Sequence, residues 1–406
     1  MKTLELLFWL SLSVLFYTYI GYGLLLHLLV GIKEFFCPQK ARPALAEAEL
    51  PHLTLFITAY NEEDAVDEKM DNCLRLDYPA EKLHILWVTD GSDDGTLTRL
   101  ARWKEAIVVH QSERRGKTAA MNRGMEYVKT PIVVFTDANT NLNPEALRRM
   151  VEMLETPEVG CVAGEKRIEA SDKADAANGG EGIYWKYESY LKDLDGRLYS
   201  AVGAAGELFA IRRELYEQLP EDTLLDDFTL SLRTVTRGYK TAYCADAYAT
   251  ETGSADMHEE AKRKVRIAAG GLQAVWRLRK LMNPLRYGVF SLQYISHRVL
   301  RWFPAPLLLL ALLPLNAILI FGTEGTVLYT LLWTGQLLFY LMAARGRHLA
   351  RKRIKNRFLF IPYYFLFMNL CAVKGMNYLA GRHGGNGTWE KSRRSGHYAG
   401  SSPLSM

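Results

Sequence analysis

The chain has 406 residues, a net charge of +5, 49 % hydrophobic residues and five cysteines. That length allows a sizeable core or about two domains, and neither the charge nor the apolar fraction suits a disordered chain or a nucleic-acid binder. Cys37, Cys73, Cys161, Cys244 and Cys371 are scattered, odd in number and lack metal-ligand spacing, which argues against a disulfide framework and makes reduced thiols the default.

The first predicted element is a membrane span. Residues 4–30 hold one early charge, Glu5, and then run apolar for a full bilayer crossing of about 20 residues. A signal peptide is the alternative; it fits poorly, because the run is long and no small-residue cleavage site follows. Residues 52–250 then alternate apolar strand-like runs with helix-like segments. The predicted strands are 52–60, 82–90, 106–111, 131–138 and 159–168, and helix-like stretches such as 62–75 and 118–128 lie between them. That order predicts an α/β domain with a mostly parallel central sheet covered on both faces.

Polar groups gather at the strand ends: "TAYNEE" (58–63), "VTDGSDDGT" (88–96) and "TDANT" (136–140). Any one of these is ordinary turn chemistry. Three at one edge of one sheet are better explained by a ligand site, since open α/β sheets bind ligands at the carboxyl ends of their strands. Side chains two apart on an extended segment point the same way, so Asp137 and Asn139 are expected to aim oxygens at one spot. Such oxygens suit hard cations such as Mg²⁺ or Mn²⁺; a simple turn is the alternative. Gly116-Lys117-Thr118 looks like part of a phosphate loop, but that loop needs Gly at position 111, where Gln stands. Lys117 can still meet a diphosphate as a point charge.

Residues 256–285 read as a basic helix at a membrane surface, with a solvated charged helix as the alternative. Residues 303–321 and 326–344 are two more spans joined by a short turn. The segment 345–357, "RGRHLARKRIKNR", is densely basic and belongs on the cytoplasmic side. The hairpin then starts and ends inside, the soluble part is cytoplasmic, and the N-terminus lies outside. Residues 358–380 are apolar but carry Asn369, Lys374 and Asn377. These would be unfavourable in lipid, so the segment is expected to lie in the interface, with spanning as the alternative.

The motif order "TAYNEE", "VTDGSDDGT", "RRGKTAAMNRG", "FTDANT", "GELFAIRREL", "LLDDFTLSLRTVTRGYK" resembles the membrane-bound family 2 glycosyltransferases. These have the GT-A fold and include the synthases of cellulose, hyaluronan, chitin and poly-N-acetylglucosamine. The likeness covers roughly residues 50–300. It implies Tyr60 and Glu62 against a uridine, Asp90 at the uracil edge and Lys117 beside the phosphates. It places Asp137 and Asn139 on the family's Asp-x-Asp metal motif, with Asn in place of the second Asp. It implies Asp227 as the base that deprotonates the acceptor hydroxyl, with Asp226 standing where the family has Glu; carboxylates in the first turn of a helix are the alternative. Arg266 keeps an arginine of the acceptor motif, whereas Ile267 replaces the tryptophan that stacks on an acceptor sugar in processive synthases. The tail 381–398 resembles a gating loop, with Trp389 and Arg393 closing over the nucleotide.

The domain expectation is therefore a membrane helix (1–31), a cytoplasmic GT-A unit (50–255), interfacial helices (256–302) and a membrane hairpin (303–344). A basic loop with an apolar helix (345–380) and a cytoplasmic tail (381–406) complete it. The implied activity is inverting, metal-dependent transfer from a nucleotide sugar, UDP-linked, at the inner membrane. The acceptor is a polysaccharide or a lipid-linked molecule, so polymerisation and single transfer both stay open, as do oligomeric and export partners. A membrane scaffold with a dead transferase domain is a remote third reading. No nucleic-acid partner is expected.

Overall fold

A computed structural model describes residues 1–38, 45–168, 176–254, 256–322, 326–352, 354 and 356–381. The chain starts with helices α1 (Lys2–Phe16) and α2 (Tyr22–Phe36), joined without a break by one π-helical turn, Tyr17–Gly21. The first apolar helix thus runs past the expected boundary at 31, to Phe36. The soluble part follows as β1 (Leu53–Ala59), α3 (Glu63–Leu74), β2 (Leu83–Asp90), α4 (Thr96–Leu100), β3 (Ala106–Gln111), α5 (Lys117–Gly124) and β4 (Ile132–Asp137). It continues through β5 (Asn141–Leu142), α6 (Ala146–Leu154), β6 (Val159–Ile168), α7 (Ala176–Leu198), β7 (Leu208–Arg212), α8 (Asp226–Thr236) and β8 (Lys240–Glu251).

The eight strands among the described residues form one sheet in the order β3-β2-β1-β4-β7-β6-β8-β5. β1 pairs in parallel with β2 and β4, β2 with β3, and β6 with β8, whereas β7 is antiparallel to β4 and β6 and β5 is antiparallel to β8. The five expected strands are present. β5, β7 and β8 are additions, and they turn one half of the sheet mixed.

Apolar runs buried on both faces explain the central strands: Leu53, Leu55 and Ile57 pack on α3 and α6, while Phe56, Val133 and Phe135 face α5 and α8. Phe56, Phe135 and Phe209 stack across β1, β4 and β7 with ring centroids 4.9 and 4.8 Å apart. Helix α5 lies so close to the sheet that a Cβ at Gly124 would stand 2.3 Å from Phe56 and 2.5 Å from Val88, so only glycine lets it dock there.

Beyond the sheet come α9 (Met257–Arg277), three short helices α10 (Pro284–Tyr287), α11 (Val289–Tyr294) and α12 (Leu300–Trp302), and then α13 (Pro304–Gly322), α14 (Thr326–Arg351) and α15 (Arg357–Gly381). Among the described residues, four helical segments are long and apolar enough to cross a membrane: Lys2–Phe36, Pro304–Gly322, Val327–Arg351 and Phe358–Gly381. α1 packs on α13, α2 on α7, α14 on α15, and α15 also on α9.

Three sequence expectations need correction here. The basic stretch from 345 is not simply a loop, because α14 continues to Arg351. In α9, Arg263 and Lys264 do not form a solvated or lipid-facing stripe; they are buried and ion-paired with Glu251 and Glu260. Asn369 is not left to lipid: it is buried, its Oδ1 accepts from the Tyr19 hydroxyl at 2.5 Å, and its Nδ2 donates to Phe365 O at 2.9 Å. Part of the physical case for keeping 358–380 out of the bilayer therefore falls, while Lys374 and Asn377 remain exposed.

Candidate active site

The carboxyl ends of β1, β2 and β4 lie side by side, and each hands a polar loop to the same edge. The first two loops are laced together. Asn61 donates through Nδ2 to Asp93 Oδ1 at 2.7 Å and accepts from the Asp93 amide at 3.0 Å. The amides of Glu62 and Glu63 donate to Thr96 Oγ1 and Asp94 Oδ2 at 2.9 and 3.1 Å, and the Gly95 amide donates back to Glu63 Oε2 at 2.9 Å. Tyr60, the first residue beyond β1, carries the Arg114 guanidinium 3.8 Å from its ring centroid, a cation–π contact.

Asp90 ends β2 and is buried. Its Oδ2 accepts from the amides of Arg115 and Gly116 at 3.1 and 2.6 Å. Gly116 sits at φ +100°, a region that side chains disfavour, and that conformation turns the amides toward Asp90. Asp90 thereby anchors the loop that starts α5 at Lys117.

Lys117 Nζ lies 2.7 Å from Asp137 Oδ1. Asp137 is the last residue of β4, and Ala138 and Asn139 already belong to a turn. The expected extended Asp-x-Asn pair is thus replaced by a strand end followed by a turn, so period-two geometry does not apply to it.

The carboxylates of Asp226 and Asp227 open α8. Asp226 Oδ1 accepts from the Asp227 amide at 2.8 Å, and Asp227 Oδ1 accepts from the Phe228 amide at 2.7 Å. They satisfy amides of the first helical turn, so the structural role foreseen for them is present. The Asp227 carboxyl is pushed up to about 7, first by burial and then by the Asp226 charge, against the pull of Lys117. Enclosure acts to lower the Lys117 pKa, but Asp137, Asp226 and Asp227 together outweigh it and hold the ammonium above its ordinary value. A Cβ at Gly206 would stand 3.2 Å from Asp227 Oδ2 and 3.3 Å from Lys117 Nζ. Lys117 and Asp227 therefore converge on one bare stretch of backbone, and Lys117 also pairs with Asp137.

Of the sequence-predicted residues, Lys117, Asp137, Asp226 and Asp227 are brought together here, with Asp90 behind Lys117 and Tyr60 and Glu62 on the neighbouring loop. No described hydrogen bond or ion pair joins Arg266 to them; its Nε is buried without a hydrogen-bond partner among the described residues. Trp389 and Arg393 lie outside the described residues. Sequence reasoning missed Glu207, whose carboxylate pairs with the buried Lys166, and missed Lys69 beneath the Asp137 turn. A lysine inside an apolar strand run was the available signal for Lys166; helix α3 offers none for Lys69.

A divalent cation fits this edge only with help from a ligand. Asp137 and Asn139 supply hard oxygens, yet no group of three or more His, Cys, Asp and Glu suited to a metal occurs among the described residues. Mg²⁺ commonly takes one or two carboxylates and completes its shell with substrate phosphates and water.

Comparison with known proteins bears on the same region. The model of the family described as "Glycosyltransferase like family 2" matches residues 51–270. The chain is 34 % identical over 131 residues to poly-beta-1,6-N-acetyl-D-glucosamine synthase of Staphylococcus aureus (strain MSSA476), a match covering 31 % of each chain. It is 26 % identical over 253 residues to beta-monoglucosyldiacylglycerol synthase of Synechocystis sp., covering 58 % of this chain and 52 % of that one. The chain thus spans 31 % of the length of the first of these relatives and 52 % of the second. Among solved structures, the mannosyltransferase PcManGT of Pyrobaculum calidifontis, in complex with GDP-Man and Mn²⁺, superposes with a TM-score of 0.68 at 22 % identity, over 92 % of this chain and 99 % of that one. At that identity the likeness shows the fold: a GT-A-like sheet with flanking and membrane-type helices.

Proposed function

The chain belongs to family 2 of the glycosyltransferases, and on that premise we propose that it moves a sugar from a nucleotide-sugar donor, UDP-linked, to a polysaccharide or lipid-linked acceptor, with inversion. The observation that carries this reading is the meeting of Lys117 and Asp227 at Gly206, with Lys117 also paired to Asp137. Asp227, with its raised proton affinity, is the base that takes the proton of the acceptor hydroxyl. Lys117 offers a fixed positive charge to the departing diphosphate. Asp137 and Asn139 would hold a Mg²⁺ or Mn²⁺ ion, which neutralises the leaving group when bound. Tyr60, Glu62 and Asp90 line the side where the base and ribose of the donor lie.

The catalytic unit faces the cytoplasm at the inner membrane, and the chain crosses the bilayer several times. Arg266 serves the acceptor side. A glycolipid-type single transfer is favoured over polymerisation by one observation: Ile267 stands where processive synthases stack an acceptor sugar. The longer of the two matches above, to a glycolipid synthase, supports the same choice. A dead scaffold would not need the paired Lys117 and Asp137 beside Asp227.

The test is to incubate membranes holding the full chain with a panel of nucleotide sugars, follow nucleoside diphosphate release and size the product. Release with one donor and a product one sugar larger supports single transfer. A ladder of long products would move the assignment to polymerisation. No release with any donor would overturn the reading.

A further inference from the structure

Behind the Asp137 turn lies a charge with no part in the reaction just described. Lys69, on α3, is 1 % exposed. Its Nζ lies 3.0 Å from Thr136 Oγ1, 2.7 Å from Thr140 O and 3.3 Å from Thr140 Oγ1. An ammonium has three donors and no acceptor, so these three oxygens use all of them. Both threonine hydroxyls then accept from Lys69; they lie 3.0 Å from each other, and each also has a backbone carbonyl within reach of its own proton. Thr140 Oγ1 donates to Asp137 O at 2.9 Å, and Thr136 Oγ1 donates to Glu207 O at 3.0 Å.

One ammonium thus orients two hydroxyls, and each hydroxyl holds a carbonyl on a different side of the site. Asp137 belongs to the donor side. Glu207 follows Gly206, the point at which Asp227 and Lys117 meet. Among the described residues no carboxylate comes within ion-pair distance of Lys69. A buried ammonium so placed is unfavourable unless its hydrogen bonds are complete, and an apolar side chain of the same volume would often be as stable. Burial holds the Lys69 pKa down at about 8, opposed by Cys73 and Asp137. The unfavourable burial is retained where it braces the turn that carries Asp137.

We propose that Lys69 is a positioning residue: its buried ammonium keeps the Asp137–Asn139 turn and the Gly206–Glu207 backbone in the mutual register that lets donor and base meet. This rests on the transferase reading above. The test uses the full-length chain in detergent, with Lys69→Met, Thr136→Val and the double variant. For each, kcat, the KM for donor and the thermal unfolding midpoint are measured. Misplacement of reacting groups by about 1 Å lowers rates by roughly 100-fold, so Lys69→Met is expected to lose about that factor in kcat, with donor KM changed much less. Thr136→Val, a near-isosteric change that removes the Glu207 branch together with that hydroxyl's contacts to Lys69 and Thr140, is expected to lose roughly tenfold in kcat. The double variant should be no worse than Lys69→Met, because both changes break one relay. A lower unfolding midpoint with wild-type kcat in the folded protein would overturn the proposal, as would additive losses. If Lys69→Met does not fold, Thr136→Val decides alone, and wild-type kcat in it counts against the relay. A wild type inactive on every nucleotide sugar overturns the transferase reading and this inference together; an active wild type with an equally active Lys69→Met overturns only this one.

Discussion

Two charged regions of the molecule use the same residue types in opposite ways. At the proposed nucleotide edge, acids mostly bind backbone amides: Asp90 holds residues 115 and 116, Asp94 holds Glu63, and Glu63 holds Gly95. On the other side of Glu207, acids pair with buried cations instead. Lys166 bridges Glu207 and Glu251, Arg263 joins Glu251 to Glu260 at 3.4 and 3.1 Å, and Glu260 accepts from the Tyr364 hydroxyl on α15 at 2.9 Å. The first region shapes loops and leaves Lys117, Asp137 and Asp227 for the proposed chemistry. The second fastens α9 and the apolar helix α15 to the sheet. The difference is between charges kept available to a ligand and charges neutralised within the fold, and it makes separable predictions.

The largest effect is expected from Asp227→Asn, which keeps the shape but cannot take the proton. Transfer should fall by about 10²-fold or more while nucleoside diphosphate binding, followed by calorimetry, stays near wild type. If Asp226→Asn proves the more damaging change, the assignment of the base shifts by one residue. Next comes Arg263→Met in the second region. Removing one partner of a buried ion pair costs about 3–5 kcal/mol, so the unfolding midpoint should drop clearly, with the kcat of the folded protein within about twofold. Equal losses in kcat and stability would dissolve the distinction between the regions.

A smaller effect concerns pH. Asp227, the proposed base, could accept a proton only when deprotonated, and its pKa is raised to about 7 by burial and Asp226. Activity should therefore climb as pH rises through about 7, and Asp226→Asn should move that limb to lower pH by removing a repelling charge. A pH–rate profile unmoved by the substitution would show that Asp226 does not govern it. The smallest effect is expected from Asn139→Asp, which adds a carboxylate beside Asp137. Activity should persist, and half-activation by Mn²⁺ should need less metal; full activity in excess chelator would remove the metal from the scheme.

Much of this was legible in the sequence, for local reasons. β1, β2, β3, β4 and β6 are apolar runs, and the polar clusters that close β1, β2 and β4 lie at one edge of the sheet. β7 has only five residues, and β8 mixes Asp246 and Lys240 into its alternation, so neither stands out from turn and loop composition. Lys69 sits in "EEDAVDEKMDN", which reads as a solvated helix face; its burial depends on a turn about 70 positions away. Asn369 failed for the same reason in reverse. Composition counts a polar group against a membrane helix, but it cannot see that Tyr19 meets it.

The π-helical turn at Tyr17–Gly21 shows how one surplus residue divides a rod into two addresses. Phe8, Leu15 and Tyr22 are seven apart, a spacing that would stack them along a single stripe of an uninterrupted helix. The wider turn holds one residue more and rotates everything after it by about 100°. Phe8 and Leu15 accordingly pack with Leu312 and Leu319 of α13, whereas Tyr22, Leu26 and Val30 pack with Leu191 and Leu194 of α7. The rotation is latched by Tyr187, whose hydroxyl donates to the Tyr19 carbonyl at 2.8 Å. The helix behaves as a keyed shaft: its first half is phased to the apolar bundle and its second half to the catalytic unit, so deleting a single residue within the turn would leave each half intact and aim the second one away from α7.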